Sequence, residues 1–253
     1  GPSNRNGINY EGDIDKVISS YLAMSDRKFT HATPTLFNSG TTRPQMSSCF
    51  VMTCADSMGS DYDDTASIPE CWDNCAKISK HAGGIGVDLT FVRCRGAYIG
   101  STNGRSNGII PLIRVFNEIG RYVDQSGKRK GAIALTLQPW HPDTPEFLEL
   151  RLNTGSEEVK ARDIFPALWV PDLFFKRLES DKEWSFFCPG SYPELVSLYG
   201  DEFEKRYLEL EESKKYVRKM KASELWEKIL KSLDESGLPY MLSKDNVNNK
   251  SNH

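Results

Sequence analysis

ISKHAGGIGVDLTF, residues 78–91, runs from the end of a helical period through two glycines into strict apolar alternation. Upstream, Ser67 stands as a cap and Pro69 lies near the first turn of a helix expected to bury Trp72, Cys75 and Ile78 and to end at Gly83 and Gly84. Downstream, Ile85, Val87, Leu89 and Phe91 alternate, which predicts a strand. GGIG thus follows a helix and precedes a strand, the reverse of the order that sets a dinucleotide's phosphates on a helix N-terminus. A Rossmann reading is excluded, and the glycines either end the helix or let backbone approach closely.

The same alternation of elements extends outward. Before the helix, MSSCFVMT (46–53) is short and mostly apolar and reads as a buried strand, followed by the acidic, turn-rich ADSMGSDYDDTAS. Earlier still, IDKVISSYLAMS (14–25) places Ile14, Val17, Ile18 and Leu22 on one helical face before a Pro- and Gly-punctuated loop. After the strand come the loop GAYIGSTNGRSNG, a helix over 110–123, the strand GAIALTL (131–137) and a short helix in PDTPEFLELRL. ALWVP and WSFFCP read as further strands. The end reads as mostly helical, with DEFEKRYLELEES and then SELWEKILKSLDESG, whose Leu225, Trp226, Ile229, Leu230 and Leu233 form a stripe stopped by Gly237. Strand, helix, strand, helix argues for an α/β fold with a substantially parallel sheet. We expect residues 1–12 to be a flexible segment and 13–253 a single domain.

With 38% apolar residues over 253 positions, the chain can bury a substantial core. The net charge of -3 gives no polybasic surface and speaks against nucleic acid as a partner. No apolar run reaches membrane-spanning length and the N-terminus lacks a secretory pattern, so a cytoplasmic protein with no membrane association is expected. The six cysteines, at 49, 54, 71, 75, 94 and 188, match neither a paired zinc motif nor a secreted disulfide framework. Cys71 and Cys75 read as buried helix cysteines, and no metal site is expected.

Eight segments taken in order carry more than any one of them: THATPTLFNSG, RPQMSSCF, ISKHAGGIG, TNGRSNG, RYVDQSGKRKGA, LQPWH, ARDIFPALWVPDLFFKR and PYMLSKDNVNNKSN. Together they closely resemble the large, catalytic subunit of class I ribonucleotide reductases, over roughly Asp13 to Asn252. The resemblance implies part of an α/β barrel built from two parallel half-sheets, here the first half with its flanking helices. It implies reduction of ribonucleoside diphosphates to deoxyribonucleotides for DNA precursor synthesis, with a radical supplied by a metal-containing small subunit and no cofactor bound directly.

Replacing a ribose 2'-hydroxyl by hydrogen is hard, because hydroxide leaves an unactivated carbon reluctantly. A radical at the neighbouring 3' carbon makes it feasible, and two thiols going to a disulfide supply two electrons. By resemblance Cys49, in SSCF, is one of those reductant thiols, while Thr33, Ser48 and Gly84 contact the nucleotide. Thr33 stands where the family often has Ser, which keeps the hydroxyl. A second, allosteric site is implied for a deoxynucleoside triphosphate or ATP at a dimer interface. There Lys80 and Arg93 would face the triphosphate, and Asp63 or Asp64 the deoxyribose hydroxyl. Ile99 and Ser106 belong to the matching glycine-rich loop, Tyr122 and Gln125 would reach the effector base from the partner subunit, and Arg129 would relay effector identity. Cys54, Cys94 and Cys188 match no family role and read as structural.

Two departures bear on this. The stretch between Cys49 and Cys75 is longer than the family's form, which leaves Asp63 and Asp64 as alternatives, and the loop after Gln125 is shorter, so the effector code is not carried over. The family's radical cysteine lies in a finger loop downstream of the KSN segment, so we expect a complementing C-terminal part, alongside the small subunit, thioredoxin or glutaredoxin as reductant, and a homodimer through the effector-site helices. The rival readings are a non-catalytic nucleotide-binding or relic fragment and a piece of a cobalamin-dependent reductase, against which RYVDQ, PWH and PDLFFKR weigh. The purified chain with an added small subunit is expected to give no ribonucleotide turnover, and a product assay that detected deoxyribonucleotide would overturn this.

Overall fold

The computed structural model of the chain describes residues 14–42, 44–59, 66–123 and 131–251. The chain divides into two compact units, 1–48 and 49–253, each described by itself. The expected flexible segment 1–12 lies outside the described residues.

In the first unit, helix α1 (Ile14–Ser25) has the bounds its apolar period predicts, yet none of its residues is buried. Helix α2 (Thr33–Asn38) begins with Pro34 in its first turn, where the missing N–H of proline costs nothing.

The second unit starts with strand β1 (Cys49–Thr53), helix α3 (Ile68–Lys80), strand β2 (Gly84–Asp88), the small ribbon β3 (Tyr98–Ile99) and β4 (Gly104–Arg105), and helix α4 (Ile109–Tyr122). Strand β5 (Ala132–Leu137), helix α5 (Thr144–Phe147), strand β6 (Ile164–Val170), helix α6 (Asp172–Glu179) and strand β7 (Glu183–Phe186) follow. The chain continues through α7 (Glu194–Ser197), α8 (Gly200–Glu212), β8 (Arg218–Lys221), α9 (Ala222–Ser236), β9 (Tyr240–Ser243) and α10 (Lys244–Lys250). Five strands form one sheet in the order β1-β2-β5-β6-β9, parallel throughout. The expected α/β fold with a parallel sheet is therefore present.

Several local expectations hold and several change. Ser67 caps α3 through a reciprocal box, its hydroxyl accepting from the Glu70 N–H while the Glu70 carboxylate accepts from the Ser67 N–H. That helix buries Cys71, Cys75 and Ser79, whereas Trp72 and Ile78 are only partly buried. Gly84 does not end the helix but begins β2. MSSCFVMT is not a buried strand: β1 pairs on one side only among the described residues, and Val51 is 90% exposed. In α9 the stripe buries Leu225 and Ile229, while Leu230 is exposed. WSFFCP does contain a strand, but β7 pairs antiparallel with β8 in a separate ribbon. Both β8 and β9 lie in the tract read as helical, each of four residues and too short for a period to register. Among the described residues no helix is long and apolar enough to cross a membrane.

At the end of the sheet a lysine is buried. The Lys244 ammonium, 1% exposed, donates to Gln138 Oε1 at 2.7 Å and to the carbonyls of Val196 at 3.0 Å and Leu195 at 3.5 Å, and lies over the Phe203 ring. Its neighbour Asp245 accepts from the Asp172 N–H at 2.7 Å and the Gly200 N–H at 2.8 Å, which are first-turn N–H groups of α6 and α8. Burial pushes the Lys244 ammonium down from 10.5 to about 8, against the opposing pull of Asp245 and Asp88. Between those pH values the unfolded chain binds more protons than the folded one, so this residue's contribution to stability rises with pH, by about 3 kcal/mol in all. Below about pH 8 both states hold the proton and the folded state bears the full cost of the buried charge. Lys244→Met leaves Gln138 Oε1 its Trp140 donor and the Val196 carbonyl its Gln138 donor. Guanidinium unfolding at pH 7 and pH 10 should show wild type gaining on Lys244→Met as pH rises, and a pH-independent difference would refute the assignment.

Candidate functional site

A parallel sheet normally has both faces covered. Here the register separates two unlike faces. Phe50, Ile85, Val87, Ile133, Leu135 and Leu168 belong to one face, packed against α3 and α4, where all but Phe50 are buried. The other face carries Cys49, Gly84 and Ala132 in one row, Val51, Gly86 and Ala134 in the next, and Thr53, Asp88 and Thr136 in a third. Every one of those nine is exposed or half-buried. These side chains are mostly small or polar, and among the described residues of this unit they stay exposed or half-buried until the third row reaches buried Ala167 on β6, so the β1-β2-β5 part of this face is a shallow floor rather than a core.

Cys49 begins β1 and is the Cα partner of Gly84 on β2, which is in turn the partner of Ala132. Partnered residues in a parallel pair face the same side, so the missing side chain at 84 leaves the flank of Cys49 open and puts β2 backbone within reach of anything bound there. The preceding glycine does something different. A Cβ on Gly83 would lie 2.6 Å from Ile78 Cγ2 and 2.9 Å from Phe50 Cε2, so Gly83 lets the end of α3 close on β1. Deeper in the floor, Asp88 accepts from the Thr90 hydroxyl at 2.5 Å and the Thr90 N–H at 2.9 Å, and burial pushes its carboxyl up despite these bonds.

A second group of residues surrounds Arg93. Its Nε donates to the Asp56 carboxylate at 2.6 Å and its Nη1 to the Tyr98 carbonyl at 2.8 Å. Asp56 and Arg93 line a cavity of about 380 Å³ with Phe91 and Gly190. Arg93 also lines an adjoining cavity of about 610 Å³ with Cys94, Arg95, Tyr98 and Cys188. The glycine-rich loop is fixed at its base. The Asp143 carboxylate accepts from the N–H groups of Arg95 and Ile109, each at 3.1 Å, and the Ser106 hydroxyl accepts from the Gly108 N–H at 3.0 Å and donates to the Arg93 carbonyl at 3.5 Å.

Of the residues expected to hold nucleotide, the structure brings Arg93 and Ser106 into contact, with Ile99 half-buried on the same loop ribbon. Lys80 and Tyr122 are exposed at the C-terminal ends of α3 and α4, and among the described residues no hydrogen bond ties them to Arg93. Asp63, Asp64, Gln125 and Arg129 lie outside the described residues. Thr33 is the first residue of α2 and exposed, Ala32 being the cap, and Ser48 is half-buried in the same unit. Asp56 was missed, since an Asp in a turn-rich stretch has no signal until the fold sets it against Arg93. Cys54, Cys71 and Cys75 are fully buried, and burial pushes the Cys75 thiol up to about 12, in keeping with a structural role. The buried pair Cys94 and Cys188 lines the larger cavity, which the structural reading did not anticipate.

Comparison with known proteins gives this geometry a context. Residues 47–253 match the family described as the ribonucleotide reductase barrel domain, and residues 4–44 its all-alpha domain. The ribonucleoside-diphosphate reductase large subunit of Arabidopsis thaliana is 53% identical over 96% of this chain, which covers 29% of that protein. The large subunit of Plasmodium falciparum is 52% identical over 95% of the chain, covering 29% of it. That of Danio rerio is 51% identical over 97%, covering 30%. The chain thus spans under a third of the length of the curated relatives it matches.

Gly83, just before β2, and Gly86, within it, test the distinction between the packed and the open side. Gly83→Ala should lower the unfolding free energy by about 1–3 kcal/mol through overpacking against Ile78 and Phe50. Gly86→Ala, whose Cβ would meet nothing closer than Val51 Cγ1 at 3.6 Å, should stay within about 0.5 kcal/mol of wild type. Thermal unfolding of the two variants distinguishes a packed face from an open one, and equal losses would mean the floor is not open.

Proposed function

The chain belongs to the ribonucleotide reductase family, and from that premise we propose that it works as part of the large subunit of a ribonucleoside-diphosphate reductase. The observation that carries the reading is Cys49 in register with Gly84 on a sheet face whose β1, β2 and β5 residues are exposed or half-buried among the described residues. A ribonucleoside diphosphate lies on that floor, its ribose beside the Cys49 thiol and its polar groups against the Gly84 backbone. Cys49 is one of two thiols that pass to a disulfide, giving the two electrons that replace the 2'-hydroxyl by hydrogen once a radical has activated the 3' carbon. The radical comes from a metal-containing small subunit, and thioredoxin or glutaredoxin restores the dithiol in the cytoplasm.

The Arg93 cavity serves a different ligand. A deoxynucleoside triphosphate or ATP sets its phosphates on Arg93 and Lys80, with the glycine-rich loop at Ile99 and Ser106 alongside and Asp63 or Asp64 taking the sugar hydroxyl. Tyr122 and Gln125 of the partner subunit approach the base in a dimer formed through α3 and α4, and Arg129 relays effector identity. A guanidinium already held by a carboxylate and a loop carbonyl is oriented in advance, which supports phosphate recognition there.

In the assembled enzyme, Cys49→Ser should reduce deoxynucleotide formation to background while Cys54→Ser leaves most of it, because Cys54 is wholly buried. Isothermal titration of deoxynucleoside triphosphate should show Arg93→Ala weakening binding by about tenfold to a hundredfold, the worth of a hydrogen bond to a charged group. Full turnover in Cys49→Ser would remove the catalytic reading, and unchanged affinity in Arg93→Ala the effector reading.

A further inference from the structure

We propose that Cys94 and Cys188 form a peroxide-sensitive dithiol, with Cys188 as the attacking thiolate and Cys94 as the resolving thiol. The two come from distant parts of the chain, Cys94 one residue past Arg93 and Cys188 two residues past the end of β7. Both line the 610 Å³ cavity although they are only 2% and 7% exposed, and each thiol is the strongest electrostatic influence on the other. A cavity of that size admits a hydroperoxide.

The surroundings favour charge on one sulfur of the two. Cys188 accepts from the Cys94 thiol and from the backbone N–H groups of Cys94 and Gly190, which hold it below the usual thiol range against burial and the Asp56 carboxylate. Cys94 is pushed up, chiefly because its proton is held in the bond to Cys188, with burial, Cys188 and Asp143 adding to it. Arg93 and Arg95 line the same cavity and add cationic side chains. Gly190 keeps it open over the sulfur, since a Cβ there would lie 3.1 Å from Arg93 Cβ and 3.7 Å from Cys188 Sγ. Cys54 and Cys71 offer an internal contrast: their thiols donate to the carbonyls of Ala55 and Ala66, both residues are 0% exposed, and they line neither cavity around Arg93.

The chemistry closes with a hydroperoxide as the oxidant. The Cys188 thiolate attacks one peroxide oxygen, the O–O bond breaks, and the leaving oxygen takes a proton to depart as water (or as an alcohol from an organic peroxide), leaving Cys188 as a sulfenic acid. The Cys94 thiol then attacks the Cys188 sulfur, the S–O bond breaks, and a second water leaves with the proton of Cys94. Two thiols have lost two electrons to the peroxide and become one disulfide, which an external dithiol reverses by exchange. The bond ties the segment that carries Arg93 to the turn after β7. The proposal stands on these two sulfurs and their cavity, whatever ligand Arg93 holds.

The full chain, treated at neutral pH with equimolar hydrogen peroxide and then alkylated and mapped by peptide mass, should yield a Cys94–Cys188 disulfide while Cys54, Cys71 and Cys75 remain thiols. Cys188 should react about tenfold or more faster than Cys75. Cys94→Ser should stop at a Cys188 sulfenic acid that dimedone traps, and Cys188→Ser should leave Cys94 a thiol. Recovery of Cys94 and Cys188 as thiols from peroxide-treated wild type would overturn the proposal, as would oxidation no faster than that of Cys75. The wild-type map decides this without either variant having to fold.

Discussion

The buried ammonium of Lys244 is the constraint from which the second unit is arranged. A charge taken out of water is tolerated only if its donors find acceptors, and here the acceptors come from Gln138 at the end of β5 and from carbonyls of α7. Gln138 is itself committed, its amide donating to the Val196 carbonyl and its oxygen also accepting from the Trp140 indole. Asp245 extends the same node to the first turns of α6 and α8. Segments far apart in sequence are thus referred to two adjacent side chains. That matters here because, among the described residues, the β1, β2 and β5 positions on the face opposite α3 and α4 add little burial of their own.

What the sequence made legible follows from where the deciding physics is local. Ser67 and Glu70 stand three residues apart and cap the helix they begin, and the alternation Ile85, Val87, Ile133, Leu135 reports a face packed under helices. What stayed hidden depends on partners distant in the chain. Tyr240–Ser243 becomes a strand only because β6 offers it an edge, and Arg218–Lys221 only because β7 does. The exposure of β1 has the same origin, since an apolar strand at the margin of a sheet reads like one at its centre. In the site, Cys49 and Gly84 were named from their motifs, but their adjacency is a property of register that no single segment encodes. Asp56 and the pairing of Cys94 with Cys188 are likewise products of folding.

The two faces of the sheet divide labour between stability and recognition. Large side chains under α3 and α4 hold the strands in place, which leaves glycine, alanine and threonine free to occupy the other side. A floor so built positions ligands by backbone and by one or two reactive groups. Its rows are set by strand register, so a shift of one strand by a single residue would carry Cys49 to the packed face and Phe50 to the open one.

The pairing of Arg93 with Asp56 has a consequence for any anion that enters its cavity. Two of the five guanidinium N–H groups are committed to Asp56 and Tyr98, so an incoming phosphate meets the remaining donors while the carboxylate stays beside them. Affinity there measures the pull of the cation less the repulsion of the carboxylate that holds it. A carboxylate fixed at the rim thus sets the direction from which the free edge of the guanidinium can be approached.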